Sequence, residues 1–267
     1  MNKTGFAGFQ AVNVLAVVLT VSFNVLANAL PLNGVFTGTV SDSYPNLFTP
    51  PGYVFSIWGA IYFLVCSFMI YQARGSQRNA DYLGRIGGLY LLAAALNVAW
   101  LFAFHYSYGN PSIFVFTPLP IAALLLTLIL TYVRLGVGKR EVPLGQKLAV
   151  HLPVSVYLGW ISLATIANVA SVINVFFPGI PAGAQAAWTA ATILMALAVA
   201  LLMLARRKDL AYGAVVAWAC AGIAAKRDAF PPIHLASLST VAVIAVASVT
   251  LPALAKKGFK EYYLATR

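Results

Sequence analysis

Acidic residues are scarce. Asp and Glu together number 6 in 267 residues, against 17 Lys and Arg, and charged residues make up only 9% of the chain. A water-facing surface ordinarily carries roughly 25% charged residues, so a soluble enzyme, a disordered regulator and a nucleic-acid-binding domain are excluded. Cysteine is as rare, at 2 residues. Cys66 and Cys220 both fall inside apolar runs, where small apolar fillers fit better than a disulfide or a metal pair. No CxxC, HExxH, P-loop or GxGxxG pattern occurs, and no internal repeat or low-complexity tract is evident. What fills the chain instead is apolar: 61% of residues are hydrophobic and the mean hydropathy is +0.85.

A bilayer-crossing helix needs about 20 mostly apolar residues. Suitable runs lie at Ala7 to Leu30, Tyr53 to Gln72, Ile86 to Tyr106, Ser112 to Val133, Leu148 to Phe177, Ala184 to Ala205 and His234 to Ala255. A weaker, shorter stretch from Leu210 to Ala225 lies between the last two, and counting it gives about eight spans. Transmembrane β-strands would show short alternating segments. The predicted fold is therefore all-α, a polytopic helical membrane bundle. Residues 1–177 form a five-helix unit and residues 178–267 add three more spans with a basic C-terminal tail.

The positive charges sort by side. Lys3 precedes the first span, and Arg74, Arg78 and Arg85 follow the second. Arg134, Lys139, Arg140 and Lys147 follow the fourth, Arg206, Arg207 and Lys208 the sixth, and Lys256, Lys257, Lys260 and Arg267 the last. The connections after spans one, three and five carry none. Because basic loops stay in the cytoplasm, both termini are predicted to be cytoplasmic, in a bacterial inner or related organellar membrane. Only Lys226 and Arg227 break the alternation, and snorkelling from a short seventh span to the outer interface would explain them. The net charge of +11 thus reads as topology and contact with anionic lipid, without nucleic acid. The Ala27-Asn28-Ala29 tripeptide mimics a signal-peptidase site, but the apolar run before it exceeds the roughly 7–15 residues of a signal-peptide core; it reads as a retained helix.

No Asp, Glu, Lys or Arg falls within the seven stronger spans, which argues against a proton relay or ion path and against paired-carboxylate catalysis. His105, His151 and His234 sit near span ends, as interfacial histidines or, on a sharper reading, as a ligand to a tetrapyrrole metal. The interior does carry rings and amides at helical spacing. Phe55, Trp58 and Tyr62 share one face of span two, behind Pro50 and Pro51, whose missing N–H groups suit a turn at a helix start. Asn97, Trp100 and Phe104 repeat the spacing on span three. Tyr157, Trp160, Ala164 and Asn168 continue it on span five, with Thr165 alongside. An amide left in hydrocarbon without a partner costs several kcal/mol, so Asn97 and Asn168 should face the bundle. Two readings stay open at this point: the stripes glue helices together, or they line a cavity for a flat, largely apolar ligand.

These residues resemble the TspO/MBR family, the translocator or tryptophan-rich sensory proteins. Its W-x-P-P-x-x-x-F-x-x-x-W-x-x-x-Y element is similar to Pro50, Pro51, Phe55, Trp58 and Tyr62, with Phe48 in place of the first Trp and one residue less between Phe55 and Trp58. Leu96, Asn97, Trp100 and Phe104 look like its L-N-x-x-W-x-x-x-F element. Tyr157, Leu158, Trp160, Ala164, Thr165 and Asn168 look like Y-L-x-W-x-x-x-A-T-x-x-N, with Val156 where a Pro is usual. The resemblance spans roughly residues 5 to 175; span four shows no family element, and the last three spans have no counterpart in the five-helix core.

The resemblance implies a bundle that binds a tetrapyrrole, a sterol-like lipid or another flat hydrophobic molecule under the first loop, here Pro31 to Gly52. The implied site comprises Phe48, Pro50, Pro51, Phe55, Trp58, Tyr62, Asn97, Trp100, Phe104, Tyr157, Trp160, Ala164, Thr165 and Asn168, with no metal and no required cofactor. The expected role is sensory, regulatory or transport, and non-enzymatic. The expected partners are membrane lipids and the hydrophobic ligand, with a homodimer or a membrane-complex partner left open. The alternative is a structural or pigment-associated subunit of a larger membrane complex, since Ala214, Ala217, Ala219, Ala221 and Gly222 favour close helix contacts. A membrane enzyme using His105 or His151 stands third.

Overall fold

A computed structural model describes residues 3–264, so Arg267 of the basic tail lies outside the described residues. The chain is 81% helical and has no strand among the described residues. Eight principal helices follow one another: α1 Lys3–Ala29, α2 Ile57–Gln72, α3 Leu89–Tyr106, α4 Pro118–Leu135, α5 Leu152–Phe176, α6 Ala182–Arg207, α7 Leu210–Lys226 and α8 Pro231–Leu254. Among the described residues seven segments are long and apolar enough to cross a membrane, and α7 is a further, shorter apolar helix. Its 17 residues reach about 26 Å at 1.5 Å per residue, slightly less than the hydrocarbon core.

Short as it is, α7 traverses the bundle. Asp209 at its N-cap accepts a hydrogen bond from Tyr132 in the last turn of α4, while Lys226 at its far end donates to the Pro50 carbonyl ahead of α2. Both described ends of the chain lie at the same end of the bundle. Gln10 of α1 donates to the Gln72 carbonyl at the end of α2, and the Lys208 ammonium after α6 lies over the ring of Tyr262 beyond α8. The basic connections after α2, α4, α6 and α8 share that end of the bundle, leaving Lys226 and Arg227 at the other.

Helix ends follow local chemistry. Pro118 and Pro231 open α4 and α8 at the position where a missing N–H costs nothing. Ahead of α5 the chain makes one wide π turn, Lys147–His151, before Pro153, which relieves the carbonyl that Pro153 cannot serve. Between α1 and α2 the chain folds back. Asn33, in the left-handed region at φ 55, turns it into a short helix, Thr37–Ser43. An extended stretch then leads through Pro50 and Pro51 into the 3-10 turn Gly52–Ser56.

One buried apolar cluster runs through α2, α5, α6, α7 and α8, so the five-helix unit and the last three helices share a core. Their seam lies between α5 and α7. Gly159 makes it close: a Cβ there would stand 3.1 Å from Val215 Cβ. Asn97 and Asn168 are buried inside the bundle, at 0% and 6% exposure. Cys66 and Cys220 are free thiols.

Candidate ligand cavity beneath the first loop

The aromatic stripes of α2, α3 and α5 meet. Trp58 and Trp160 pack edge to face at 6.2 Å between centroids, and Phe55 meets Trp160 the same way at 5.6 Å. Trp58 stacks on Tyr62, and Trp100 stacks on Phe104 at 4.8 Å. Between them lies an inner cavity of about 70 Å³, walled also by Leu163, Ala164, Ala167, Asn168 and Ser171 of α5 and by Ala219 and Ile223 of α7. The alanines make the room, since a larger side chain at any of them would fill it. An outer chamber of about 410 Å³ is contiguous with it, sharing Thr37, Ser41, Thr49, Phe55, Trp58 and Trp100 and reaching Asn24, Asp42, Tyr62 and Leu101. The inner space admits a handful of waters; the outer reaches the lower end of sizes for a drug-like molecule.

Three polar atoms on the inner wall have no partner in the protein: Trp100 Nε1, Trp160 Nε1 and Asn168 Oδ1. The Asn168 orientation follows from its neighbour. Thr117 Oγ1 donates to the Phe114 carbonyl and accepts from Asn168 Nδ2 at 2.9 Å, which leaves Asn168 Oδ1 uncommitted. These two donors and one acceptor belong to a mainly aromatic and aliphatic wall that also carries the hydroxyls of Thr37, Ser41, Thr49 and Ser171. A buried polar group without a partner costs roughly 1–3 kcal/mol.

The roof is the first loop. Tyr44 stacks on Phe114 at 3.7 Å and its hydroxyl donates to the Ser107 carbonyl. Burial pushes that phenol above its usual range, so it remains a donor. Asn46 is the hub of the loop: its Oδ1 accepts from Thr49 N at 2.7 Å and its Nδ2 donates to Ser171 Oγ at 2.7 Å. Ser171 in turn donates to the Tyr44 carbonyl. His105 belongs to the roof too. Its Nδ1 faces the Leu101 carbonyl at 2.8 Å and so carries the proton, leaving Nε2 to accept from Thr37 Oγ1 at 3.2 Å.

The last helices hold the same loop. Arg227 Nε donates to the Leu47 carbonyl at 3.0 Å and Nη2 to the Asn46 carbonyl at 2.6 Å. Lys226 Nζ reaches the Pro50 carbonyl at 3.3 Å, and Trp218 Nε1 donates to the Val54 carbonyl at 3.1 Å. Gly222 lets α7 approach: a Cβ there would stand 2.3 Å from Val54 Cγ2 and 3.2 Å from Pro51 Cδ. Sequence reasoning did not find this clasp. Its single clue was that Lys226 and Arg227 break the charge alternation; snorkelling explained them without naming the carbonyls they serve.

Of the residues singled out in the sequence, Phe48, Pro50, Phe55, Trp58, Trp100, Phe104, Trp160, Ala164 and Asn168 line the inner cavity, and Tyr62 the outer. Four lie elsewhere. Asn97 faces α1, where Asn24 Nδ2 donates to its Oδ1. Tyr157 stands one turn beneath the aromatic floor, edge-on to Trp58 and lining a separate cavity of about 20 Å³ against α1 and α4. Thr165 donates back to the Ile161 carbonyl of its own helix. Pro51 packs toward Gly222 of α7 instead of the cavity. Among the described residues, no group of three or more His, Cys, Asp or Glu could hold a metal ion, and both ring nitrogens of His105 are engaged.

A family model described as TSPO-like protein matches residues 10–250, across the five-helix unit and nearly all of the last three helices. No curated protein matches the chain, and no solved structure does.

Proposed function

Taking as premise that the chain belongs to the TSPO-like (TspO/MBR) family, and so is a membrane protein of ligand-binding or sensory type, we propose that it binds a flat hydrophobic molecule under the first loop. The ligand class that suits this wall is tetrapyrrole-like: a broad π face for Trp58, Trp100 and Trp160, with polar edge groups for the indole N–H donors and the Asn168 carbonyl. The observation that carries the reading is the set of unpartnered polar atoms at Trp100, Trp160 and Asn168 in an aromatic cavity. The inner space is tighter than such a ligand, so loading requires the Tyr44–Pro50 stretch to lift. The site is non-enzymatic and serves sensing or transport. The basic end of the bundle faces the cytoplasm of a bacterial inner or related organellar membrane.

The test is titration of the purified protein with protoporphyrin, followed by both tryptophan fluorescence and porphyrin absorbance. Saturable binding at one equivalent is expected, weakened roughly two- to tenfold in Trp100→Phe and in Trp160→Phe through loss of one hydrogen bond each. Affinity unchanged in both variants would remove the wall from the site.

A further inference from the structure

At the opposite, basic end of the bundle lies a second cavity, of about 370 Å³, which the ligand site does not use. Its walls come from the start of α5, the α6–α7 junction and the short helix Phe259–Leu264 beyond α8. Three cations line it, Lys147, Arg207 and Lys208, against one carboxylate, Asp209. The carboxylate is largely engaged by the protein: it is 5% exposed, accepts from Tyr132 Oη at 2.8 Å and caps α7 through Tyr212 N at 3.0 Å, and its charge offsets part of that of Lys147. The Arg207 guanidinium gives Nη1 to the Val137 carbonyl and lies over the Tyr132 ring, which holds it at the cavity edge.

His151 lines the same cavity at 3% exposure, and its Nε2 has no partner in the protein. It sits in the π turn that places Lys147 and His151 on this wall, a helix distortion common at functional sites. Apart from Ser155 and Tyr263 the remaining wall is apolar, chiefly Leu148, Leu152, Leu210, Ala211 and Ala214. Leu148 is 46% exposed, so the apolar part opens toward the bundle surface, where the bilayer lies.

A cationic head space joined to an apolar slot open to the bilayer selects an amphiphile with an anionic head. The geometry points to a binding site for an anionic phospholipid: its phosphodiester lies among Lys147, Arg207 and Lys208, one oxygen meets His151 Nε2, and an acyl chain runs past Leu148, Ala211 and Ala214. Basic pockets between membrane helices on this side bind such headgroups. A lipid there would tie α5, α6 and α7 together, and two of these, α5 and α7, also carry the far wall of the ligand cavity, with α7 adding the clasp on its roof.

The full chain, stripped of lipid in neutral detergent, is titrated with phosphatidylglycerol, phosphatidylcholine and inorganic phosphate, with native mass spectrometry as readout. One tightly held phosphatidylglycerol is expected, with phosphatidylcholine at least about tenfold weaker and millimolar inorganic phosphate unable to displace the lipid. Lys147→Gln with Lys208→Gln should weaken retention roughly thirtyfold, whereas Arg74→Gln with Arg78→Gln, equal in charge and at the same end, should leave it unchanged. Ala214→Phe keeps every charge and fills the slot, so it should also release the lipid; it decides the matter if the double lysine variant fails to fold. Equal binding of the two lipids, displacement by inorganic phosphate, equal losses in the two charge pairs, or a lipid still held by Ala214→Phe would each overturn the assignment.

Discussion

Adding one methyl group at Gly222 tests whether α7 seats the roof of the ligand cavity. An alanine Cβ would stand 2.3 Å from Val54 Cγ2, 3.2 Å from Pro51 Cδ and 3.5 Å from Pro50 Cβ. None of the three can swing away: valine is stiff at χ1, and the prolines are fixed rings in the stretch that closes the roof. Overpacking of this kind costs about 1–3 kcal/mol, while replacing a mid-helix glycine by alanine returns roughly 0.5–1 kcal/mol. At mid-range the clash wins by about 1 kcal/mol, and it falls on the roof because α7 is packed on its other side. The open population of the roof should therefore rise about fivefold. Gly213→Ala on the same helix is the matched control. Its Cβ would meet only Leu204 side-chain atoms at 3.4–3.5 Å, so it should stabilise slightly and leave the roof alone. Hydrogen–deuterium exchange of peptides covering residues 44–54 in lipid nanodiscs separates the two. Equal exchange in Gly222→Ala, Gly213→Ala and the parent protein would refute the argument that α7 holds the roof down.

Three further outcomes are expected. Arg227→Gln removes charge-assisted bonds to two roof carbonyls; with the side chain part-buried each contributes about 1 kcal/mol, so porphyrin should dissociate roughly thirtyfold faster in stopped-flow fluorescence, with a fall of a few degrees in melting temperature. Trp160→Phe keeps the edge-on contacts with Phe55 and Trp58 but deletes an N–H that has no acceptor. The smaller ring gives up packing at a side chain that is 3% exposed, so the ligand-free protein should melt somewhat lower, while the lost N–H should weaken porphyrin binding in addition; unchanged binding at the lower melting temperature would make the tryptophan purely structural. Asp209→Asn addresses pH. Burial holds the Asp209 carboxyl above the usual carboxylate range, so the folded state binds its proton more tightly than the unfolded chain. The stability it contributes is full below about pH 3.9 and is lost as pH rises through the folded value. Asparagine can still cap Tyr212, so the variant should lose that decline in melts between pH 4 and pH 8.

The fold was legible because its signal is local. Apolar runs of about 20 residues and the sidedness of Lys and Arg depend on the bilayer, not on partners far along the chain. The stripes on α2, α3 and α5 were legible for a related reason, since 3.6-residue periodicity states which residues share a face. It does not state how far along the helix axis that face stays in register with its neighbours. Tyr157 follows the same stripe as Trp160 and Asn168, yet it falls beneath the floor, because the cavity covers only about three turns of α5, from Trp160 to Ser171. Asn97 follows the Trp100 stripe but finds Asn24, 73 residues away. Thr165 lay beside a stripe, and a hydroxyl can always satisfy itself on the preceding turn.

The clasp was illegible for a stronger reason, and that reason bears on what the last three helices do. Carbonyls carry no side-chain signature, so nothing in Asn46, Leu47 or Pro50 announces that a cation 176 to 181 residues later will bind them. The roof needs such a partner. Pro50 and Pro51 bring no N–H, and the extended stretch from Tyr44 to Pro51 forms no ladder, so its carbonyls would otherwise rely on water at a membrane interface. Within the five-helix unit, the Asn46–Ser171 hub and the Asn174 bond to the Pro45 carbonyl at 3.0 Å hold the first half of that stretch. The second half, from Leu47 to Val54, is held by Arg227, Lys226 and Trp218. A five-helix version of this bundle would keep the aromatic floor and lose the fastening over half the roof. The added helices, through α7 and its end, therefore supply the fastening over that half of the roof, while the aromatic floor of Trp58, Trp100 and Trp160 rests on α2, α3 and α5.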